Sequence, residues 1–254
     1  MKDLITMQDI KYKVVVKTTH KHSDRMDNCA NTWLKDVDYV CITDKLTGKY
    51  NELSMSDDDG YTSNEEKTVN FINLVRTTTQ FDEYDWLVFI DDDAILNRLK
   101  FEYIGPKLDK NHPYGLIIAS YTQEPSLKYL SGGCGYFISP QLIKQCNEIT
   151  VKGCGYEDVS MGKWYKENNI KLRETYIDDN QEHYIKLNGW FPLQNEYDKV
   201  NDGKTGPEYV LKLIDKIKHN NKINEHLRTH CTHHYIKHLP LMQYIYDRFK
   251  EWKP

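Results

Sequence analysis

The sequence predicts one α/β domain built on an open, mostly parallel central sheet flanked by helices. Two observations carry that prediction. Short apolar, β-branched runs end in polar residues in "YKVVVKTT", "VDYVCITD" and "DWLVFIDDD", as buried parallel strands do. Segments with helical spacing separate them, and strand–helix–strand order over the first part of the chain favours a parallel sheet. At 254 residues the chain can bury one good core.

The elements follow in order. "YKVVVKTT" is the first strand and "RMDNCANTWL" the first helix, with Trp33 in the core. "VDYVCITD" is the second strand, and "MSDDDGYTS" is a loop whose Asp57, Asp58 and Asp59 precede Gly60 and sit in solvent. Ser63 and Glu66 have capping-box spacing ahead of a helix carrying Val69, Ile72 and Val75 inward. "DWLVFIDDD" is the central strand, and "YGLIIASY" and "GGCGYFIS" are later strands. Ser139-Pro140 opens a helix, "EDVSMGKWYKENN" another, and Pro207 and Pro240 begin two more.

Composition removes several functions. A net charge of −4 without a basic, aromatic-laced stripe gives no nucleic-acid partner. The run "WLVFI" is far too short to span a bilayer, and no signal-like segment opens the chain. The expectation is a cytoplasmic, viral or microbial enzyme, or a lumenal one if an anchor has been removed. The cysteines (Cys29, Cys41, Cys134, Cys146, Cys154, Cys231) form no CxxC and read as reduced core residues. No Walker motif, hydrolase elbow or dinucleotide fingerprint is present.

Asp91, Asp92 and Asp93 stand where an apolar strand ends, the place at which open α/β sheets bind ligands. Like charges crowded there repel, and burying them unpaired is costly. A divalent cation resolves the cost, and carboxylate oxygens suit Mn²⁺ or Mg²⁺, which also bind phosphate. The competing reading is a solvated strand-end turn. Glu157 and Asp158 have an equally local alternative, as acidic residues at a helix N-terminus. "RTHCTHHYIKH" brings His230, His233, His234 and His238 beside Cys231, which alone reads as a zinc site or a basic surface segment.

Taken in order, these stretches resemble the Fringe and core 1 β1,3-galactosyltransferase group of inverting glycosyltransferases. "VVVKTTHKHSDRMDNCANTW" is similar to the group's first strand and helix, with a basic-Thr-Thr turn, an Arg and a Thr-Trp. "CITD", "WLVFIDDDAIL", "YLSGGCGYFIS", "GYEDVSMGKWYKE" and "HHYIKHLPLMQYIY" resemble the successive later motifs. DxD alone is common; the ordered set is specific.

The resemblance implies a GT-A fold and transfer from a UDP-sugar, or another nucleotide sugar, to a glycan or glycoprotein hydroxyl, with a β1,3-type linkage. About residues 10–100 would hold the nucleotide sugar and about 101–254 the acceptor, within one domain spanning 1–254. Asp93 would bind Mn²⁺, with Asp91 as a further ligand and with Asp91 and Asp92 near the sugar or ribose. Asp158 would be the base, with Glu157 the fallback. Thr18, Thr19, Arg25 and Asp44 would meet the nucleotide, and Ser131, Gly132 and Gly133 the sugar. His234 is implied as a metal ligand. The histidine that Fringe proteins carry soon after the base helix departs here to "RETYIDDNQEHY", where His183 is the substitute and Asp178 and Asp179 are loop residues. Residues 175–235 diverge most and should govern acceptor choice. The alternatives are a metal-dependent phosphotransferase or nuclease and a non-catalytic sugar- or metal-binding module.

Overall fold

The computed structural model describes residues 10–119, 124–151, 154–177, 184–190, 207–234 and 236–251. Strands β1 (Tyr12–Lys17), β2 (Tyr39–Thr43) and β3 (Glu52–Ser54) pair in parallel, with helix α1 (Ser23–Asn31) between the first two. Helix α2 (Ser63–Thr77) leads into β4 (Trp86–Asp91), which pairs in parallel with the other side of β1. The order is therefore β3-β2-β1-β4, and it reverses at β1. A crevice forms at such a reversal, beyond the carboxyl ends of the strands. Here those ends are Lys17 and Asp91, which face each other in register.

Next come β5 (Ile95–Leu96), α3 (Arg98–Ile104), β6 (Tyr114–Gly115), β7 (Ile117–Ile118), β8 (Tyr129–Leu130) and β9 (Tyr136–Ile138). β9 joins β4 antiparallel and carries β6 at the sheet edge, so the central sheet is mixed but mostly parallel. The predicted strand "YGLIIASY" divides: β6 stays in the sheet, whereas β7 leaves to pair with β8. After α4 (Pro140–Gln145) and α5 (Glu157–Glu167), β10 (Thr175–Ile177) and β11 (Tyr184–Trp190) enter a second sheet. Helices α6 (Pro207–Lys218) and α7 (Asn221–Thr229) precede β12 (His230–His234), and α8 (Leu239–Lys250) closes the described chain.

Alternation along the central strands feeds two cores. Val14, Val16, Trp86, Val88 and Ile90 pack toward α1, α3 and the C-terminal helices. Val15, Leu87 and Phe89 pack toward α2, α4 and α5. Strands β1 and β4 are thus buried on both faces, which explains their unbroken apolar runs. Gly162 of α5 lets the β7–β8 hairpin lie against the helix, since a Cβ there would sit 2.6 Å from Tyr129 Cβ and 3.1 Å from the Lys128 carbonyl.

Ser139 caps α4 as predicted, accepting from the Leu142 amide at 3.0 Å. The capping box does not form. Ser63 Oγ donates to the Gly60 carbonyl, and Glu66 accepts from Ser56 Oγ at 2.5 Å, so tertiary partners take both side chains. All six cysteines are free, and all but Cys154 are buried. No helix among the described residues is long and apolar enough to cross a membrane.

Candidate functional site

A cavity of about 760 Å³ opens beyond the carboxyl ends of β1 and β4. It gathers Thr18, Thr19, Arg25, Asp91, Asp92, Asp93, Ser131, Gly133, Asp158 and His234 from segments far apart in sequence. Asp44, Gly132 and Glu157 are not among its lining residues, and His183 lies outside the described residues.

The three aspartates have different surroundings. Asp92 is buried and fully engaged: Thr18 Oγ1 donates to Oδ2 at 2.8 Å, and Arg25 Nη1 and His22 Nδ1 each approach within 3.3 Å. Arg25 reaches Asp93 only at 3.9 Å, so its main partner is Asp92. Asp93 and Asp91 instead face His234, whose Nε2 is 3.0 Å from Asp93 Oδ1 and 3.7 Å from Asp91 Oδ2. Donor atoms of Asp91, Asp93 and His234 all lie within 4.8 Å of one another. The buried Oδ1 atoms of Asp91 and Asp93 receive no well-aligned hydrogen bond. Two carboxylates and an imidazole converging with acceptor capacity to spare fit a divalent cation such as Mn²⁺.

Strand pairing builds this cluster. β12 lies antiparallel to β5, with His233 opposite Ile95. The Ile236 amide donates to the Asp93 carbonyl at 2.6 Å, and Thr232 Oγ1 to the Cys134 carbonyl at 2.5 Å. That register carries His234, the next residue along β12, up beside Asp93, where its Nε2 comes within 3.0 Å of Oδ1. Burial works against a charged His234, but Asp93 and Asp91 outweigh it and push its pKa up to about 10. Burial likewise opposes an ionised Asp93, and His234, Lys237 and Arg25 outweigh it, bringing the pKa to about 2.

The glycines of "SGGCG" make room for protein before ligand. A Cβ on Gly133 would stand 2.2 Å from His234 Cε1, and one on Gly132 would stand 2.1 Å from Glu157 Oε2. Both glycines thus admit side chains of the protein, His234 and Glu157, and Gly133 also lines the cavity.

Asp158, in the first turn of α5, lines the cavity and accepts from the Val159 amide at 2.9 Å. Burial and then the Glu157 charge raise its pKa to about 6, with Lys17 pulling the other way. Glu157 cannot serve the same end. Its Oε2 takes Lys17 Nζ at 2.8 Å, its Oε1 takes Tyr136 Oη at 2.7 Å, and it is buried. The fallback assignment of Glu157 as base is set aside, because both its oxygens are committed.

Lys17 was missed as a site residue. Its Nζ lies 2.8 Å from Glu157, 3.1 Å from Asp91 and 3.0 Å from the Gly132 carbonyl, and its side chain is 1% exposed. The signal was present, since a lysine ending an apolar strand beside another strand ending in Asp91 must be paired. Lys67 was missed too: it is buried, lines the cavity and donates to the Thr18 carbonyl at 2.8 Å. Asp44 is not free to meet a nucleotide as placed, since the His20 amide donates to it at 3.0 Å and the His20 ring pairs with it. His20, Asp44 and Asp59 also converge within 4.8 Å, but His20 and Lys21 already close on those carboxylates. Asp59 and Gly60 line the cavity, so that loop is nearer the site than its sequence suggests.

No family model matches the chain, and no curated protein does. Among solved structures it is similar to an active-site mutant of LgtC, with a TM-score of 0.38 and 11% identity over 60% of this chain and 70% of that one. It is also similar to galactosyltransferase LgtC in complex with donor and acceptor sugar analogs, with a TM-score of 0.34 and 10% identity over 62% of this chain and 65% of that one. At these values the likeness assigns neither substrate nor mechanism.

Proposed function

We propose that this chain is a metal-dependent glycosyltransferase of GT-A type, moving a sugar from a UDP-sugar to a hydroxyl of a carbohydrate-bearing acceptor. One observation supports this above others: the Asp91–Asp93–His234 cluster and Asp158, whose pKa is raised to about 6, open onto one cavity at the sheet's reversal point. The donor would lie with its nucleoside toward Thr18 and Thr19 and its diphosphate toward Arg25 and the cluster. Asp91, Asp93 and His234 would hold a divalent cation, Mn²⁺ or Mg²⁺, which when bound neutralises charge gathering on the departing diphosphate. The first hundred residues would then supply most of the donor side, and the remainder the base and the histidine.

Asp158 takes the proton of the acceptor hydroxyl as its oxygen attacks the anomeric carbon. The bond from that carbon to the phosphate oxygen breaks, and its electron pair leaves with the nucleoside diphosphate. A carboxylate with a pKa near 6 is ionised at neutral pH and still a useful proton acceptor. A single displacement of this kind inverts the anomeric centre, as the Fringe resemblance also implies.

The test is calorimetric titration of UDP with and without Mn²⁺, beside Asp93→Ala. Binding that needs both the metal and Asp93 supports the reading. Failure of UDP, GDP and dTDP alike would overturn it and favour a non-catalytic module, whereas phosphoester hydrolysis without a sugar acceptor would favour a phosphotransferase or nuclease. Proton NMR of the first-formed product then reads the anomeric configuration; retention would overturn direct displacement.

A further inference from the structure

Tyr61 is 76% exposed and Tyr156 is 52% exposed, and both line the cavity that contains Asp158. Single exposed aromatics are ordinary on protein surfaces. Two on the rim of one polar cavity, reached from different segments, are not. Tyr156 immediately precedes α5 and stands two residues before Asp158, while Tyr61 comes from the loop before α2.

The two segments are fastened together. The Gly155 amide donates to Glu65 Oε2 at 2.9 Å, and Ser160 Oγ donates to Glu65 Oε1 at 2.5 Å. Thr62 lies so close to Gly155 that a Cβ there would meet Thr62 Cγ2 at 3.0 Å, and Gly155 has a φ of +73°. The buried Glu65 thus joins the backbone beside Tyr156 to the helix that follows Tyr61. Tyr61 and Tyr156 line the same cavity as Asp91, Asp93, His234 and Asp158, so both rings share a space with the metal-type cluster and the base.

We infer that Tyr61 and Tyr156 form the platform that seats the acceptor's pyranose ring, the kind of acceptor that a β1,3-type linkage already implies. This rests on the glycosyltransferase reading. A general base must touch the hydroxyl it deprotonates, so side chains on the Asp158 side of the cavity meet the acceptor. A pyranose presents a face of polarised C–H groups, and an aromatic face is the negative side of a quadrupole. Tyrosine adds a hydroxyl for the ring's own hydroxyls and loses little side-chain freedom on binding. A serine or threonine side chain has no such face to offer.

Saturation-transfer NMR tests this with the full chain, UDP and Mn²⁺ present. The probes are methyl β-D-galactopyranoside, methyl β-D-glucopyranoside and a blocked Ala-Thr-Ala peptide. The expected result is saturation of ring C–H protons of at least one glycoside, little on the peptide, and a drop of about tenfold in Tyr61→Ala/Tyr156→Ala. Tyr61→Phe/Tyr156→Phe keeps the faces and should keep most of the signal. UDP affinity, measured separately, should stay within about twofold in both variants. Unchanged glycoside saturation in the alanine variant, or saturation of the peptide alone, would overturn the inference. Glycoside saturation dependent on both tyrosines, without any nucleotide binding, would uphold the platform and sink the donor reading instead.

Discussion

Replacing Lys17 by methionine should destabilise the protein far more than removal of an ordinary surface lysine would. The substitution keeps the volume of the stem and deletes one charge. That charge lies 2.8 Å from Glu157 and 3.1 Å from Asp91, with Lys17 and Glu157 side chains 1% and 7% exposed. Burial disfavours the ammonium, but Asp91 and Glu157 outweigh it and hold its pKa above the usual lysine value. A group of this kind contributes stability below its unfolded pKa and loses it only as pH rises through the higher folded one. Between about pH 5 and 8 the wild-type contribution is therefore constant. Removing one partner of a buried pair costs about 3–5 kcal/mol, or roughly 6–20 °C in Tm for a chain of this size. The uncompensated carboxylates of the variant take up protons readily, so its deficit should shrink toward acid. Urea unfolding at about pH 8 and pH 5, together with Lys17→Met/Glu157→Gln, reads all of this. The double variant should recover part of the loss, because the stranded charge is gone. A deficit below about 1 kcal/mol at both pH values would refute the reasoning, since exposed pairs are worth no more than that.

Other outcomes follow from the same geometry. Asp158→Asn should lower transfer by about 10²–10⁴-fold while leaving UDP binding intact, and wild-type transfer should fall as pH drops below about 6. Because folding raises that pKa, the ionised carboxylate costs stability at neutral pH; Asp158→Asn should be more stable than wild type near pH 8, with the advantage lost toward pH 4, by urea unfolding. Gly133→Ala should displace His234, lower Tm by roughly 2–12 °C and weaken Mn²⁺ binding by about tenfold or more, the latter read by calorimetry of the metal alone. Lys100 is fully buried, donates to the Leu227 and His230 carbonyls at 2.8 and 3.0 Å, and has its pKa lowered by burial to about 7. A lysine depressed on folding destabilises its charged form, so wild-type stability should rise between about pH 7 and 10, and Lys100→Met should flatten that rise.

Much of this arrangement was legible in the sequence, because its signals are local. A carboxylate run after "WLVFI" places Asp91–Asp93 at a strand end without knowledge of any partner. Ser139-Pro140 marks a helix start through its own side-chain cap. The missed features are those decided by distant contacts. Ser63 and Glu66 have the right spacing for a capping box, yet Gly60 and Ser56 claim them. β3 has only three residues, none fully buried, so no pattern announces it. α7 carries Ile223 and Leu227 one turn apart, which is readable, but its polar composition hides the face. Gly132 and Gly133 look like a ligand-facing turn until the side chains they accommodate arrive from α5 and β12.

The charge pattern explains why two aspartate triplets in one chain have different fates. In the loop, the Asp58 carboxylate accepts from the Gly60 amide, and Asp59 meets Lys21 at 2.6 Å where both side chains are partly exposed. At the end of β4, burial forces each charge to find a partner. Asp92 takes Arg25 and Thr18, and Glu157 takes Lys17. Asp91 then shares Lys17 with Glu157, Asp93 shares His234 with Asp91, and Asp158 takes the backbone of Val159 and Gly132 rather than a cation. The protein's fixed cations thus satisfy the structural carboxylates and surround Asp93 with His234, Lys237 and Arg25, whereas burial still raises the pKa of Asp91. A divalent cation at Asp91 and Asp93, and a proton arriving at Asp158, are what such a distribution is suited to accept. The same tally explains why Lys17 sits where it does. Lys17 pulls the Asp158 pKa down against burial and the Glu157 charge, which keeps that carboxyl ionised at neutral pH.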